Sequence, residues 1–360
     1  MIVLSARNVN YALPQGITHL HAFGVREDSR NGPVLRELMP VTTVYEAPNE
    51  RVCHHPWRDA NPFFHLIEAM WMLAGRDDLA TLQRYVKSFN YTDDGKTVPG
   101  AYGKRWRKWP AELGSYGWGD QLDWAVKRLR DNPGDRRVVI QMWDPAVDPE
   151  RADNGGKDVP CNLTVLPFVT GDELNITVFC RSNDMVWGAY GANAVHFSFL
   201  LEYLAARTGL KVGRYYQVSN NFHAYLETAG DPQACWPVDW GPVDPYAMGA
   251  VRPLPLGSSS EHDISTEKGS ANFDHWLKLL FDKGAGAVSG SGWTFLDKVV
   301  VPMASAHEHY RKNRGEERYT GAQEILQQMP AGNDWLLAAS EWVARREAKW
   351  RRASDDGVSA

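Results

Sequence analysis

Residues 161–184, CNLTVLPFVTGDELNITVFCRSND, decide the fold of this chain. Two runs rich in β-forming residues predict two strands, and the turn residues 170–172 between them predict a hairpin. Cys161 then lies at the start of the first strand, after Pro160. Arg181 and Asp184 lie at the end of the second strand. The hairpin therefore predicts that these side chains lie next to the cysteine.

The pattern around this hairpin predicts an α+β fold. Residues 136–143 predict a further strand before it, and residues 212–226 predict a strand-like segment after it. Helical spacing of apolar residues predicts helices over 61–88, broken near Gly75, and over 119–132 and 193–208. We expect one domain over residues 1–230, a divergent loop-rich segment over 231–275 with a polar loop at 256–272, and a helical C-terminal extension over 276–360, with two helices within 320–352.

Composition narrows the possible functions. The net charge of −5 argues against a protein that coats nucleic acid, because phosphate neutralisation needs a basic surface. The four cysteines are typical of reduced intracellular thiols, and their spacing predicts no zinc site, so we expect no metal. No stretch has the pattern of a signal peptide or of a membrane span. We therefore expect a cytoplasmic protein without direct contact to nucleic acid or membrane.

Cys161 by itself has two readings. A lone cysteine is more often a small buried side chain than a nucleophile. A positive neighbour such as Arg181 could lower its pKa and activate it. Arg181, with Arg136 and Arg137, is also a candidate phosphate clamp, because guanidinium groups match phosphate oxygens. Taken alone, Arg136 and Arg137 are equally compatible with a surface pair at a strand start.

Residues 159–205 resemble the central segment of the thymidylate synthase family, which includes the pyrimidine nucleotide hydroxymethylases. Further matches along residues 26–230 favour the interpretation of Cys161 as a nucleophile. The family pattern is Pro-Cys, a strand pair, Arg-Ser-x-Asp, a glycine and an asparagine that opens a long helix. Five other segments match in order: SRNG (29–32), HLIEAMWMLAGRDDL (65–79), AYGKRWRKW (101–109), DRRVVIQMWDP (135–145) and NNFHAY (220–225). The resemblance implies a thymidylate synthase-like fold, with a mixed sheet, flanking helices and a homodimer formed through the sheet.

The resemblance also implies roles for individual residues. Cys161 would add to C6 of a pyrimidine ring, which lets C5 attack an electrophile. Glu68 would organise water and move protons at the base, and Tyr102 would assist removal of the C5 proton. Asp184 would bind the pterin of 5,10-methylenetetrahydrofolate, the carbon donor. The residues expected to hold the nucleotide are Arg30, Arg181 and Ser182 at the phosphate, Arg136 and Arg137 from the partner subunit, His223 and Tyr225 at the 3′-hydroxyl, and Asn193 at the base.

Differences from the family pattern bear on substrate and product. Asn193, where related dCMP hydroxymethylases have an aspartate, favours dUMP. Asn162 follows the nucleophile where synthases usually have histidine, and we expect it to take part in catalysis. Leu166 occupies the position of a usual glutamine. The tryptophan pair expected before the Tyr-Gly motif is absent, and only Phe89 and Tyr91 lie near that position. The synthase C-terminal ending is also absent from the final DDGVSA. A more open site would let water attack the C5 methylene, so we expect a dUMP hydroxymethylase of the kind bacteriophages use for DNA modification.

Four alternatives remain at this point. The chain could be a thymidylate synthase that makes dTMP, or a dCMP hydroxymethylase. A cysteine hydrolase could pair Cys161 with His196 or His223, although it would not need the phosphate arginines. A non-catalytic nucleotide-binding homologue would keep the arginines, but it would not need both Cys161 and Glu68.

Overall fold

The computed structural model describes residues 1–108, 119–229 and 244–355. It divides into two compact units: Met1–Cys53 with Ala69–Asp244, and His54–Glu68 with Pro245–Ala360. The chain passes from the second unit into the first within helix α2 (Pro62–Leu73). Cys235, the predicted start of the loop-rich segment and the last five residues lie outside the described residues.

A mixed sheet forms the framework of the described part of the first unit. Its strands, in spatial order, are β1 (Ile2–Ala6), β4 (Val41–Tyr45), β9 (Lys211–Ser219), β7 (Glu173–Cys180), β6 (Asn162–Thr170) and β5 (Ile140–Gln141). β1 pairs with β4 and β7 pairs with β9 in parallel, whereas the other neighbours are antiparallel. The hairpin predicted from residues 161–184 is therefore confirmed as β6 and β7.

A smaller sheet lies at the ends of these strands. In spatial order it contains β2 (Val25–Ser29), β3 (Gly32–Glu37), β10 (Phe222–Tyr225) and β8 (Asn183–Asp184). β8 follows β7 directly, and β10 follows β9 after a two-residue break, so the predicted strand over 212–226 is divided between the two sheets. The smaller sheet thereby carries Asp184 next to His223.

Helices pack against the strands of the main sheet. The first unit contains α1 (Val9–Phe23), part of α2, α3 (Leu79–Gln83), α4 (Tyr102–Arg107), α5 (Gln121–Asp131), α6 (Asp148–Asp153), α7 (Asn193–Thr208) and the single turn α8 (Leu226–Ala229). α7 packs against β7, β9 and α5 and is buried on nearly every side, which explains its almost continuous apolar sequence. A π-helical segment, Met185–Ala192, leads into it and is kinked at Tyr190 and Gly191.

Most of the predicted elements of the first unit are present. The helix predicted over 61–88 is broken at Gly75, whose φ of +70° is in the left-handed region. It resumes as α3, which ends at Gln83 instead of continuing to residue 88. The helices predicted over 119–132 and 193–208 are confirmed as α5 and α7.

The strand predicted over residues 136–143 is mostly wrong, because only Ile140 and Gln141 pair with β6. A bulge between Asn162 and Thr164 interrupts β6 at this point. The Leu163 carbonyl there accepts hydrogen bonds from the amides of both residues 142 and 143. The regular ladder therefore ends after two residue pairs.

The described part of the second unit is mainly helical. It contains α9 (Glu267–Lys283), α10 (Val301–Lys312), α11 (Glu317–Leu326) and α12 (Asp334–Asp355), with a 3₁₀ turn at Ala285–Ala287 and a π-helical segment at Leu296–Val300. The two helices predicted within 320–352 are confirmed as α11 and α12. The loop predicted over 256–272 is wrong at its end, because Thr266 accepts a hydrogen bond from the Gly269 amide and caps α9 there. No helix in the described ranges is long and apolar enough to span a membrane.

Candidate active site

Cys161 lies immediately before β6, at the open end of the hairpin. Its carbonyl accepts a hydrogen bond of 2.8 Å from the Arg181 amide. Burial raises the pKa of the Cys161 thiol and the negative charge of Asp158 raises it further, whereas Arg181 and Arg30 lower it. Arg181 therefore acts in the predicted direction, but burial outweighs it. The resting thiol is protonated at neutral pH.

Arg181 holds the backbone that leads into the cysteine. Its Nε donates to the Pro160 carbonyl at 2.9 Å, and its Nη2 donates to the Val159 carbonyl at 3.0 Å. Ser182 follows it and is partly exposed. Arg30, at the turn between β2 and β3, is exposed and close enough to affect the thiol electrostatically. The structure thus places two positive charges near Cys161.

Asn162 connects the cysteine to a buried polar cluster. Its Nδ2 donates to the Tyr102 hydroxyl at 3.1 Å and to Asn193 Oδ1 at 3.0 Å. Its backbone amide also donates to the Tyr102 hydroxyl at 3.1 Å. Because that oxygen accepts both bonds, its own O–H remains a donor. Burial raises the pKa of Tyr102, so the hydroxyl stays protonated.

His223 and Tyr225 lie on the same face of β10, as predicted from their spacing. Their ring centroids are 5.1 Å apart, and His223 Nδ1 is 2.9 Å from Asn221 Oδ1. Burial lowers the pKa of His223. Tyr225 and Trp187 donate their backbone amides to the Asp184 carboxylate. These bonds fix Asp184 at the edge of the smaller sheet.

Three further predicted residues have no described contact that assigns them a role. Glu68 is buried on α2, in the part of that helix that belongs to the second unit. Arg136 and Arg137 are exposed, and Arg137 pairs with Asp135. Their roles therefore stay predictions.

Asp158 is a site residue that the sequence reasoning missed. It accepts a hydrogen bond from the Gly100 amide, and burial raises the pKa of its carboxyl. Its negative charge adds to burial in raising the pKa of both Cys161 and Tyr91. The available signal was an acidic side chain only three residues before Cys161.

Asp158 and Asn162 flank Cys161, and both are held by residues 100–102. The Gly100 amide binds the Asp158 carboxylate, and the Tyr102 hydroxyl accepts from Asn162. This segment therefore fixes the chain on both sides of the thiol.

The surroundings of Asp184 fit a flat heterocycle. Trp187 is 50% exposed and Tyr91 is 54% exposed. Burial raises the pKa of Tyr91, and the nearby charges of Cys161 and Asp184 raise it further. Tyr91 also packs edge-on against Phe89, with ring centroids 5.2 Å apart. Aromatic faces next to a fixed carboxylate suit a pterin ring, which can stack and donate hydrogen bonds. Within the described ranges, no cluster of three or more His, Cys, Asp or Glu residues could hold a metal ion.

Comparison with known proteins agrees with this arrangement. A family model described as thymidylate synthase matches residues 17–233. The chain is 43% identical to a deoxyuridylate hydroxymethyltransferase of Pseudomonas phage M6, over 100% of this chain and 99% of the relative. A deoxyuridylate hydroxymethyltransferase of Bacillus phage SP01 is 36% identical, over 55% of this chain and 52% of the relative. A putative thymidylate synthase of Methanosarcina barkeri is 26% identical, over 62% of this chain and 89% of the relative.

The match with the family model covers more than half of the chain, including the hairpin, α7 and β10. The mixed α+β architecture agrees with the fold expected from the resemblance. A folate co-substrate and a pyrimidine nucleotide are the substrates that this family implies. The chain belongs to the thymidylate synthase family.

Proposed function

We propose that this protein is a deoxyuridylate hydroxymethyltransferase that uses 5,10-methylenetetrahydrofolate to convert dUMP to 5-hydroxymethyl-dUMP. The observation that carries this proposal is the 43% identity to the phage M6 enzyme over the whole chain. Partial matches favour the same activity, with 36% identity to the phage SP01 enzyme against 26% to the putative synthase of Methanosarcina barkeri. The phage relatives also support a role in the cytoplasm of a bacterial host, in nucleotide synthesis for modified DNA.

In the proposed complex, the nucleotide lies across the ends of both sheets. Arg30, Arg181 and Ser182 bind the 5′-phosphate, because two guanidinium groups near the thiol suit a dianion. His223 and Tyr225 bind the 3′-hydroxyl from β10. Asn193 reads the base at the start of α7, 3.0 Å from the Asn162 amide.

The proposed reaction begins at Cys161. Its sulfur bonds to C6 of dUMP, and the phosphate arginines favour the thiolate against burial. C5 then acts as the nucleophile toward the one-carbon unit, and Tyr102 assists removal of the C5 proton, with its hydroxyl fixed by two bonds from Asn162. Glu68 organises water and moves protons at the base. Asp184 holds the pterin.

The final proposed step distinguishes this enzyme from a synthase. Loss of tetrahydrofolate leaves an exocyclic methylene at C5, conjugated with C4=O. The oxygen of water bonds to the methylene carbon, and a proton leaves that water. The electron pair passes through C4–O and back to re-form the C5–C6 double bond, expelling the Cys161 thiolate. No oxidant or reductant is needed.

The test is to incubate the protein with methylenetetrahydrofolate and either dUMP or dCMP, and to identify the nucleotide by mass spectrometry. We expect 5-hydroxymethyl-dUMP and tetrahydrofolate. Formation of dTMP with stoichiometric dihydrofolate would establish a synthase instead, and 5-hydroxymethyl-dCMP would establish the cytosine enzyme. Absence of any C5 product would reject the proposal.

We also propose that residues 1–230 form the catalytic domain, with a loop-rich segment at 231–275 and a helical extension at 276–360. The domain works as a homodimer through the main sheet. Phe168 and Phe179, on adjacent strands, are 39% and 36% exposed. Exposed aromatic side chains on a sheet face favour a partner. Arg136 and Arg137, at the β5 edge, would then reach the partner's phosphate.

Replacing Phe179 with aspartate is expected to convert the dimer to a monomer, because a charge would have to be buried between the two sheets. Turnover falls with it, since the arginines of the partner are lost. Analytical ultracentrifugation of both proteins measures the change. Phe23→Asp, at an end of α1 where the ring is already 66% exposed, is the matched control and stays dimeric. A monomeric wild-type protein would refute the proposed dimer.

A further inference from the structure

A buried chain of hydrogen-bonded polar side chains extends from Asn193. Asn193 Nδ2 donates to Asn183 Oδ1 at 3.0 Å, and Asn183 Nδ2 donates to Ser219 Oγ at 2.9 Å. On the other side, Asn193 Oδ1 accepts from Asn162, whose own Oδ1 accepts from Gln217 Nε2 at 3.3 Å. The Tyr215 hydroxyl closes the chain on Gln217 Oε1. All these side chains except that of Asn193 are at most 2% exposed.

The bonds in this amide network all have one direction. Each amide places its NH₂ group against the oxygen of the next side chain. If Asn193 alone turned over, its oxygen would face Asn183 Oδ1 and its NH₂ would face the Asn162 NH₂. Two acceptors would then face each other, and two donors would face each other, which is unfavourable for buried polar groups. The orientation of Asn193 is therefore tied to that of its neighbours.

The backbone makes room for one of these neighbours. A Cβ atom on residue 188 would come within 2.5 Å of Asn183 Oδ1, so Gly188 is required for this close approach. Both N–H groups of Asn162 are engaged, by Tyr102 and Asn193, and its oxygen accepts from Gln217. Its contribution is therefore to position Asn193 and Tyr102.

After these bonds, Asn193 has one N–H and one oxygen lone pair for a ligand. Uracil offers N3–H as a donor and O4 as an acceptor. Cytosine offers the reverse, with N3 as an acceptor and the N4 amino group as a donor. The order of donor and acceptor on Asn193 thus decides which base fits.

We propose that Asn183, Ser219 and the Asn162–Gln217 pair are positioning residues that hold the Asn193 amide in the orientation that reads uracil. This inference rests on the proposed function, in which Asn193 contacts the base. It identifies what causes the preference for uracil over cytosine, because an asparagine amide could otherwise turn over and bind either pyrimidine. The specificity lies in side chains that do not contact the nucleotide.

The test compares dUMP with dCMP in variants of the network. Asn183→Leu removes the acceptor that fixes Asn193, and the dUMP-to-dCMP ratio of kcat/KM is expected to fall roughly ten-fold, the value of about one hydrogen bond. Ser219→Ala loosens Asn183 and lowers the ratio less. Release of tritium from the labelled C5 position measures both substrates, whatever the product. Ser198→Ala, a buried hydroxyl of α7 that bonds to the Val195 carbonyl outside the network, is the control and keeps the ratio.

A purely structural role would lower kcat/KM for both nucleotides in parallel, and an unchanged ratio would overturn the inference. A wild-type protein that prefers dCMP would overturn it as well. Equilibrium binding of dUMP and dCMP gives the same ratio without turnover, so it tests the network even if the proposed reaction fails. Product identity separates the two ideas: dTMP as product would reject the proposed function and leave the ratio test intact.

Discussion

Cys161→Ser is expected to lower turnover of dUMP by roughly 10⁴-fold or more, because the reaction depends on a covalent bond to C6. A serine hydroxyl is a far weaker nucleophile than a thiolate. Burial already raises the pKa of the thiol. The same burial would oppose an alkoxide much more strongly.

Nucleotide binding survives this change, because the groups proposed to hold the nucleotide lie on other elements. Calorimetric titration of the variant with dUMP is expected to give a dissociation constant within a few-fold of that of the wild type. The control is Cys53→Ser, which keeps its activity. A Cys161→Ser enzyme with normal turnover would show that residue 161 is not the nucleophile.

Asp148→Ala is expected to lower the free energy of unfolding by about 3–5 kcal/mol, the usual effect of breaking a buried ion pair. Asp148 is completely buried and accepts two hydrogen bonds from the Arg105 guanidinium and one from the Asp144 amide. Without it, Arg105 keeps a buried charge whose remaining partners include backbone carbonyls such as that of Pro99. Urea denaturation followed by circular dichroism measures the loss.

Activity falls in the same variant even where it stays folded. Arg105 also donates to the Pro99 carbonyl, and the residues after Pro99 position the site. Gly100 binds the Asp158 carboxylate, and the Tyr102 hydroxyl accepts from Asn162. The control is Asp172→Ala, which breaks the exposed pair with Lys211 (67% and 73% exposed) and changes stability by less than about 1 kcal/mol. Equal effects of the two substitutions would contradict the buried-pair argument.

The sequence predicted those elements whose signals are local. The apolar run of α7 and the turn at 170–172 needed no distant partner to be recognised. The strand over 136–143 failed because its length depends on a bulge in β6, which no feature of residues 136–143 encodes. Propensity describes one segment, whereas pairing depends on two.

The same distinction holds for the site. Motif order was enough to bring Cys161, Arg181, Asn193 and His223 into one proposal. It did not reveal that Asn162 bonds to Gln217, since that contact depends on the register of strands far apart in sequence. It likewise gave Asp158 no role, because the position of its carboxylate is set by the backbone amide of Gly100.

The position of β9 between β4 and β7 has a consequence for how the protein is made. Tyr45 pairs with Tyr215, roughly 170 residues later, so at a synthesis rate of about 5–20 residues per second some 10–30 s separate the two partners. During that time β4 has only the parallel partner β1. The nascent chain therefore emerges with an unpaired strand edge that β9 covers only later.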